Sequence, residues 1–418
     1  MLLRYMGLAV VALAMACADA GVIEGPEDVP QESRITVQTD QAALRGRVRL
    51  ASERLPIVSL VPGTAVTRSP ADGSFQLVLV AEVDPPEMEG TTLQASHSVI
   101  HGNKAYVAYN VQGPERKGGV DVFDVSDPDD VTLESAALFE DTDVSALDLN
   151  GATELYLATA TDDVAFSTPA VLEVVDLQGG QLTTQSTRVD LPSYAGTGVR
   201  VQGNTLYVTS GTGGDPVGGL SIFDANTLQL ALFDPFEDAR AVDLKGDYVV
   251  TMRGTPGELR LYDAASGAYS TSYASGGANI PESKSTVFIA KQCAFYAAGD
   301  EGLRVVDLAS GSTVLTLPVP DIDGVELADE VTNGASASGN LVFIANGGAG
   351  LFVAQATHDL DDQSGAGCGS DNFGLQVLGQ VQFPEGPSAN YVDSKGSLLF
   401  VANGRGGLSI VRIDRSDG

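Results

Sequence analysis

The chain has 418 residues, long enough to bury a sizeable core. Its 55 Asp+Glu against 23 Lys+Arg give a formal net charge of −32. That balance excludes nucleic acid as a partner, since phosphate binding needs clustered Lys and Arg, and it disfavours anionic lipid surfaces. With 48 glycines and only 19% charged residues, the composition predicts many short strands joined by tight turns.

The N-terminus reads as an address. Met1–Arg4 supplies a positive n-region, and residues 7–16 (GLAVVALAMA) form an apolar h-region ending in a small residue. The run is too short for a transmembrane helix. Cys17 follows at once. The stretch Leu13-Ala14-Met15-Ala16-Cys17 resembles a bacterial lipobox, with Ala14 where that pattern prefers Leu. The resemblance implies a signal peptide over 1–16, lipidation of Cys17 and stable membrane anchoring by several acyl chains. Ala18 and Asp19 after the cysteine suggest the outer membrane. An ordinary secretory signal cut nearby is the alternative. Residues 17–34 then hold the lipidated cysteine and an acidic, Pro- and Gly-containing stretch without periodicity, which reads as a flexible tether.

Residues 35–82 do not share the pattern that follows. ITVQ, LRGRVRL, the turn SPADGS and FQLVLV suggest a small β unit. Its G-x-V and DGSF features faintly resemble a carboxypeptidase regulatory-like β-sandwich. Strands packed on the edge of the next domain are the alternative.

From residue 91 to 413 one repeat recurs. A frame of G-x-x-apolar-aromatic-apolar appears at Gly102, Gly203, Gly339 and Gly396, without the glycine at Lys291, one residue longer at Gly151 and one shorter at Gly246. A second run follows each: GGVDVFDV, AVLEVVDL, GGLSIFDA, GELRLYDA, EGLRVVDL, AGLFVAQA and GGLSIVRI. The spacing of about 39 to 57 residues is the size of a four-stranded blade, so the fold class is all-β, a seven-bladed β-propeller. The last blade has no outer strand of its own at the C-terminus. Thr91–Ala95 is placed to supply it and remove the open edge. Asp ends five of the runs (Asp124, Asp176, Asp224, Asp263, Asp307) and is expected to cap a turn through its own backbone.

The L-x-V-x-D pattern after paired glycines, as in GGVDVFDVSDP, resembles the LVIVD-repeat family of bacterial exported proteins, over roughly residues 94–413. The resemblance implies a propeller, often on a lipoprotein, and offers no catalytic residues to transfer.

Motifs for chemistry are sparse. There is no GxxxxGK, and GTGGDPVGG lies between strands with no helix behind it, so no dinucleotide site is read there. NGASASG has the wrong spacing for a nucleophile elbow. His97 and His101 lie four apart on one strand, without the HExxH pattern of a zinc site. The loop Asp359-Leu-Asp361-Asp362 resembles a calcium loop but has Ser364 in place of the sixth-position Gly. No metal and no cofactor is expected. Cys293 and Cys368 are able to pair in an oxidising compartment, or to remain a buried thiol and a loop thiol.

One constellation stands out. Six residues before the frame position lie Ser96, Ser145, Thr197, Arg240, Ser285, Asn333 and Asn390, all polar, at the entry to each inner strand. With neighbours His97, Asp143, Lys284 and Tyr391 they are expected to ring the mouth of the central channel. Arg240, Lys284, Asp143, His97, Asn333 and Asn390 are the candidate ligand contacts. Arg240 is expected to reach across toward a ligand carboxylate or Asp143, favouring a small polar or anionic ligand such as a sugar acid. Capping of exposed backbone is the alternative role of the ring. The reading is a lipid-anchored binding or scaffold module of the cell envelope, for a small polar ligand or a protein partner. The competing reading is a propeller hydrolase or lyase on a sugar or lactone, which requires a tight acid–base cluster at the mouth.

Overall fold

The computed structural model describes residues 34–415 apart from 60–66, 69–74, 212, 214, 281–282, 363–366, 370–372 and 385–387. The stretches expected to be a signal peptide and a tether up to residue 33, with Cys17, the SPADGS segment and the core of the acidic 359–365 loop, fall outside the described residues. Arg34, assigned to the tether, is fixed in the fold: its guanidinium bonds Asp141, Glu173 and Ser186.

Seven antiparallel sheets form a seven-bladed β-propeller. The inner strands are Gln94–His101, Thr142–Leu149, Ala195–Gln202, Ala239–Lys245, Val287–Ala290, Gly334–Ser338 and Tyr391–Lys395. Each packs against the next, and the seventh packs against the first, so the ring is closed. The second strands carry the aromatic residues of the frame. Tyr106, Tyr156, Tyr207, Phe295, Phe343 and Phe400 are all buried between blades, where a flat two-sided strand needs large side chains on its faces. The frame glycine takes positive φ at Gly102, Gly203, Gly246, Gly339 and Gly396 (57–62°), which a tight hairpin turn demands and a side chain would strain. Four of the five terminal Asp residues accept backbone N–H groups two or three residues on: Asp124 from Ser126, Asp224 from Asn226 and Thr227, Asp263 from Ser266, and Asp307 from Ser310.

Closure differs from expectation. The outer strand of blade 7 is Phe75–Val83, which pairs antiparallel with Leu408–Arg415 from Leu408↔Val83 to Arg415↔Phe75. Thr91–Thr92 instead pairs with Glu87–Met88, and Ala95 makes a single bridge to Gly404. The physical reason is length. Nine residues of FQLVLVAEV can cover a whole edge and bury Leu77, Leu79, Ala81 and Val83 in it, whereas Thr91–Thr92 spans two.

Residues 35–82 are likewise not a separate β unit. Ile35–Gln38 adds a fifth strand to blade 1, Val48–Leu55 lies outside Phe75–Val83 on blade 7, and Ile57–Val58 extends blade 6. Part of LRGRVRL is a short helix, Gln41–Arg45, capped by Asp40, whose carboxylate accepts the Ala42 N–H at 2.9 Å. Cys293 in blade 5 and Cys368 in the loop after the third strand of blade 6 are joined by a disulfide, with Cα atoms 5.7 Å apart. The only helix among the described residues is too short to cross a membrane.

Candidate functional site

At one end of the channel lies a cavity of about 910 Å³. Six of the seven ring residues line it: Ser96, Ser145, Thr197, Arg240, Asn333 and Asn390, from blades 1, 2, 3, 4, 6 and 7. Blade 5 contributes Lys284 instead, because its ring residue, Ser285, is fully buried and bonded to Ser283 at 2.6 Å. Rim carboxylates Glu326 and Asp329 complete the wall.

In four of the seven blades the local cause of the ring position is a β-bulge; in blades 5 to 7 the ring residue stands just before the paired inner strand. In blades 1 to 4 the register of the inner strand slips at one residue, between Ala95 and His97, Val144 and Ala146, Gly196 and Gly198, and Ala239 and Ala241. The skipped residues are Ser96, Ser145, Thr197 and Arg240. A bulge turns its extra side chain out of the alternation, here toward the channel mouth. Ser96 and Thr197 also use their hydroxyls on carbonyls of the next blade, Val144 at 2.9 Å and Ala239 at 2.9 Å. Backbone capping and cavity lining are thus done by the same side chains.

The expected contact between Arg240 and Asp143 does not form. Arg240 is 6% exposed, and its guanidinium is used up by both oxygens of Asp238 and by the carbonyls of Ile280 and Ser283. Asp143 is held by Arg116 at 2.8 Å and by the N–H groups of Val111 and Lys117. Burial pushes its carboxyl above the usual range, and Arg116 opposes the shift. A long side chain takes the nearest carboxylate, and Asp238 stands only two residues away from Arg240. The mouth therefore offers no free guanidinium to an anion.

His97 lies deeper. It stacks on Tyr391 with ring centroids 4.3 Å apart, and its buried Nδ1 has no hydrogen-bond partner. Burial drives its pKa well below the ordinary value, helped by the positive charges of Lys284 and Arg200. His101 is exposed at the strand end. Lys284 crosses the channel from blade 5 to the opposite side. Its Nζ donates to the carbonyls of Ser96 at 2.5 Å and Ser145 at 2.7 Å and lies 5.2 Å from the Tyr391 ring centroid. Asn333 positions the lysine by accepting its backbone N–H at 3.0 Å. Asn390 lies beside Gly404, where a Cβ would come within 2.6 Å of its amide nitrogen. Among the described residues no cluster of three His, Cys, Asp or Glu is arranged to hold a metal. Asp361 bonds the Gly339 N–H at 2.7 Å, and Asp359 accepts the Asp361 N–H at 2.8 Å.

A second set of channel residues is absent from the sequence reading. Three residues before the frame position stand Asp148, Arg200, Asp243, Ser336 and Asp393. Asp148 accepts the N–H of Val201, Asp243 that of Ile289, Asp393 that of Ile100, and the Ser336 hydroxyl that of Ser394, always from the next blade. Each is a polar staple between inner strands. Arg200 adds an ion pair to Asp243 at 2.9 Å. Burial alone would lower the Arg200 guanidinium, but Asp243 and Asp148 outweigh it and hold it above its ordinary value. The frame that revealed the mouth ring also carries this signal, since charged residues recur there on otherwise apolar strands.

The fold has many relatives of known structure. The chain is similar to the structure of U3-55K, at 14% identity over 79% of this chain and 98% of that one, with a TM-score of 0.55. It is similar to the WD40 repeats of RRP9, at 13% identity over 87% and 100%, with a TM-score of 0.52. A Kuenenia stuttgartiensis hydrazine synthase matches at 15% identity over 78% and 99%, with a TM-score of 0.54. At such identities the likeness shows the propeller fold alone. No protein-family profile and no curated protein matches the sequence.

Proposed function

We propose that the protein is a lipid-anchored binding module of a bacterial cell envelope, related to the LVIVD-repeat propellers, that takes a small polar ligand in its channel mouth. The observation that carries this reading is the cavity of about 910 Å³ into which all seven blades place one polar side chain. Hydroxyls and amides dominate that wall, and the rim adds Glu326 and Asp329. With Arg240 neutralised by Asp238, the ligand is a polyhydroxylated or cationic molecule rather than an anion. The Cys293–Cys368 disulfide supports export to an oxidising compartment. The lipobox-like Cys17 supports the anchor.

Calorimetry with a panel of small polyols, amines and sugar acids tests the site. Binding of a hydroxylated or amine ligand should weaken about fivefold to tenfold on Asn390→Ala, the loss of one hydrogen bond of about 1 kcal/mol. A hit indifferent to both Asn390→Ala and Thr197→Val would place binding elsewhere. Cys17→Ser should release the protein into the soluble fraction, and unchanged membrane association would overturn the anchor.

A further inference from the structure

Lys284 differs from the ion-paired lysines at the sheet edges, and from Lys395, whose Nζ donates to the single carbonyl of Ile100 at 3.2 Å. Lys104 sits between Asp124 and Glu134, and Lys117 between Glu89 and Glu115. Lys284 has no carboxylate within 4.0 Å among the described residues, and its Nζ bonds only two backbone carbonyls, Ser96 at 2.5 Å and Ser145 at 2.7 Å. Two acceptors match the two hydrogens of a neutral amine and leave its lone pair unused. The side chain is one of those lining the mouth cavity, and both carbonyls it bonds belong to residues of the same wall, so the amine lies within reach of a ligand held there.

We propose that Lys284 forms a reversible imine with a hydroxylated aldehyde or ketone bound in the mouth. This rests on reading the mouth as a ligand site and names the ligand's reactive group. The wall of Ser145, Thr197, Asn333 and Asn390 meets the hydroxyls, and the carbonyl carbon meets Nζ. The lone pair forms the C–N bond while the carbonyl π pair moves to oxygen. One N–H proton passes to that oxygen, giving a carbinolamine. The second N–H proton leaves with the hydroxyl as water, and the C=N bond forms. Both hydrogen bonds to Ser96 and Ser145 are given up in the exchange, which favours the return reaction and keeps the adduct reversible. Burial, with the positive charge of Arg200, lowers the lysine ammonium to about 7, so the free amine is plentiful at neutral pH.

Glycolaldehyde with cyanoborohydride at neutral pH traps such an imine as a secondary amine. Peptide mass mapping then compares the six lysines of the full chain. Lys284, held largely as the free amine, should be labelled at least about tenfold faster than the partly exposed Lys245. Equal or slower labelling of Lys284 overturns the proposal. This ratio is read in the unaltered protein, so it stands even where Lys284→Arg fails to fold. Where that variant folds, it should lose the label at this position alone. Binding of erythritol, which has no carbonyl, is measured in parallel. Erythritol binding that depends on Asn390, without labelling of Lys284, sinks the imine and leaves the ligand site. Failure of both sinks both.

Discussion

Blades 2 to 5 and blades 1, 6 and 7 share one repeat but are completed in different ways. Each of blades 2 to 5 is a single contiguous stretch of four strands, as in Ala239–Lys245 through Tyr269–Ala274. Blades 1, 6 and 7 also take strands from residues 35–83, and blade 7 depends on them for its fourth strand. The N-terminal segment runs from blade 1 to blade 7, out to blade 6 and back to blade 7. It is a clasp over three neighbours, and Arg34 extends its reach to Glu173 of blade 2. The self-contained blades need only local hairpins. The borrowed strands of blades 6 and 7 require a loop closed across more than 300 residues, and that of blade 1 one of about 100, and the ring has no stable edge until they are closed.

Removing the clasp should have the largest effect. Leu77, Leu79, Val80, Ala81 and Val83 are each at most 3% exposed. Four of these are large apolar side chains worth about 1.5–3 kcal/mol each, a sum comparable to the whole stability of an ordinary domain. A chain lacking residues 34–83 should lose cooperative unfolding and aggregate through Leu408–Arg415. A single sharp melt at the parent temperature would show that the ring closes without it. A smaller effect separates the two kinds of blade more finely. Arg47, at the start of the clasp, grips both oxygens of Asp121 in blade 1 and the carbonyl of Asp84, and Asp121 is 1% exposed. Arg47→Ala strands a buried carboxylate and should cost about 3–5 kcal/mol in chemical denaturation. Arg260→Ala in self-contained blade 4 removes both an ion pair with Asp234 that keeps some solvent access and the stacking on Phe236 and Tyr269, and should cost less, about 2 kcal/mol. Equal costs would erase the distinction.

This contrast also marks what was legible in the sequence. The repeat was visible because seven copies of GGLSIFDA-like runs reinforce one another, and their blades pair locally. FQLVLVAEV alternates as any edge strand does, and nothing in it names Leu408–Arg415, more than 300 residues on, as its partner. TTLQA is the stretch the sequence offers for that edge, because position next to blade 1 is the only clue it carries. At the site, the ring of small polar residues is readable from the frame, since the entry to each inner strand recurs at a fixed distance from the hairpin turn. The long side chains were not. Arg240 chose Asp238 and Asp143 chose Arg116, choices made by reach and burial that spacing alone does not encode. The staples Asp148, Asp243 and Asp393 share the frame, but their partners are backbone N–H groups of the next blade, which no side-chain pattern marks.

The smallest expected effect lies at the seam between blade 7 and blade 1, where a borrowed blade meets its neighbour. Asp393 accepts the Ile100 N–H there at 2.9 Å. Burial pushes its carboxyl up to about 6, against that hydrogen bond and the positive charge of Arg200. An unfolded aspartate titrates near 3.9. Between these values the native state holds a proton that the unfolded chain has lost, so this group's contribution to stability falls as pH rises from about 4 to about 6 and stays low above. An asparagine side chain in its place would keep an acceptor for Ile100 without the charge. Asp393→Asn should therefore gain on the parent by about 1–2 kcal/mol on going from pH 4 to pH 7, after discounting for the partial exposure of the side chain. The corresponding staple at the seam between blades 4 and 5 should behave in the opposite sense. Asp243 carries the ion pair with Arg200, so Asp243→Asn leaves a buried guanidinium short of one partner and should destabilise the protein at pH 7. Parallel denaturation curves for the two variants at pH 4 and pH 7 decide the matter. If both lose stability at pH 7, the two seams are held by the same electrostatics, and the difference between borrowed and self-contained blades ends at the outer strands.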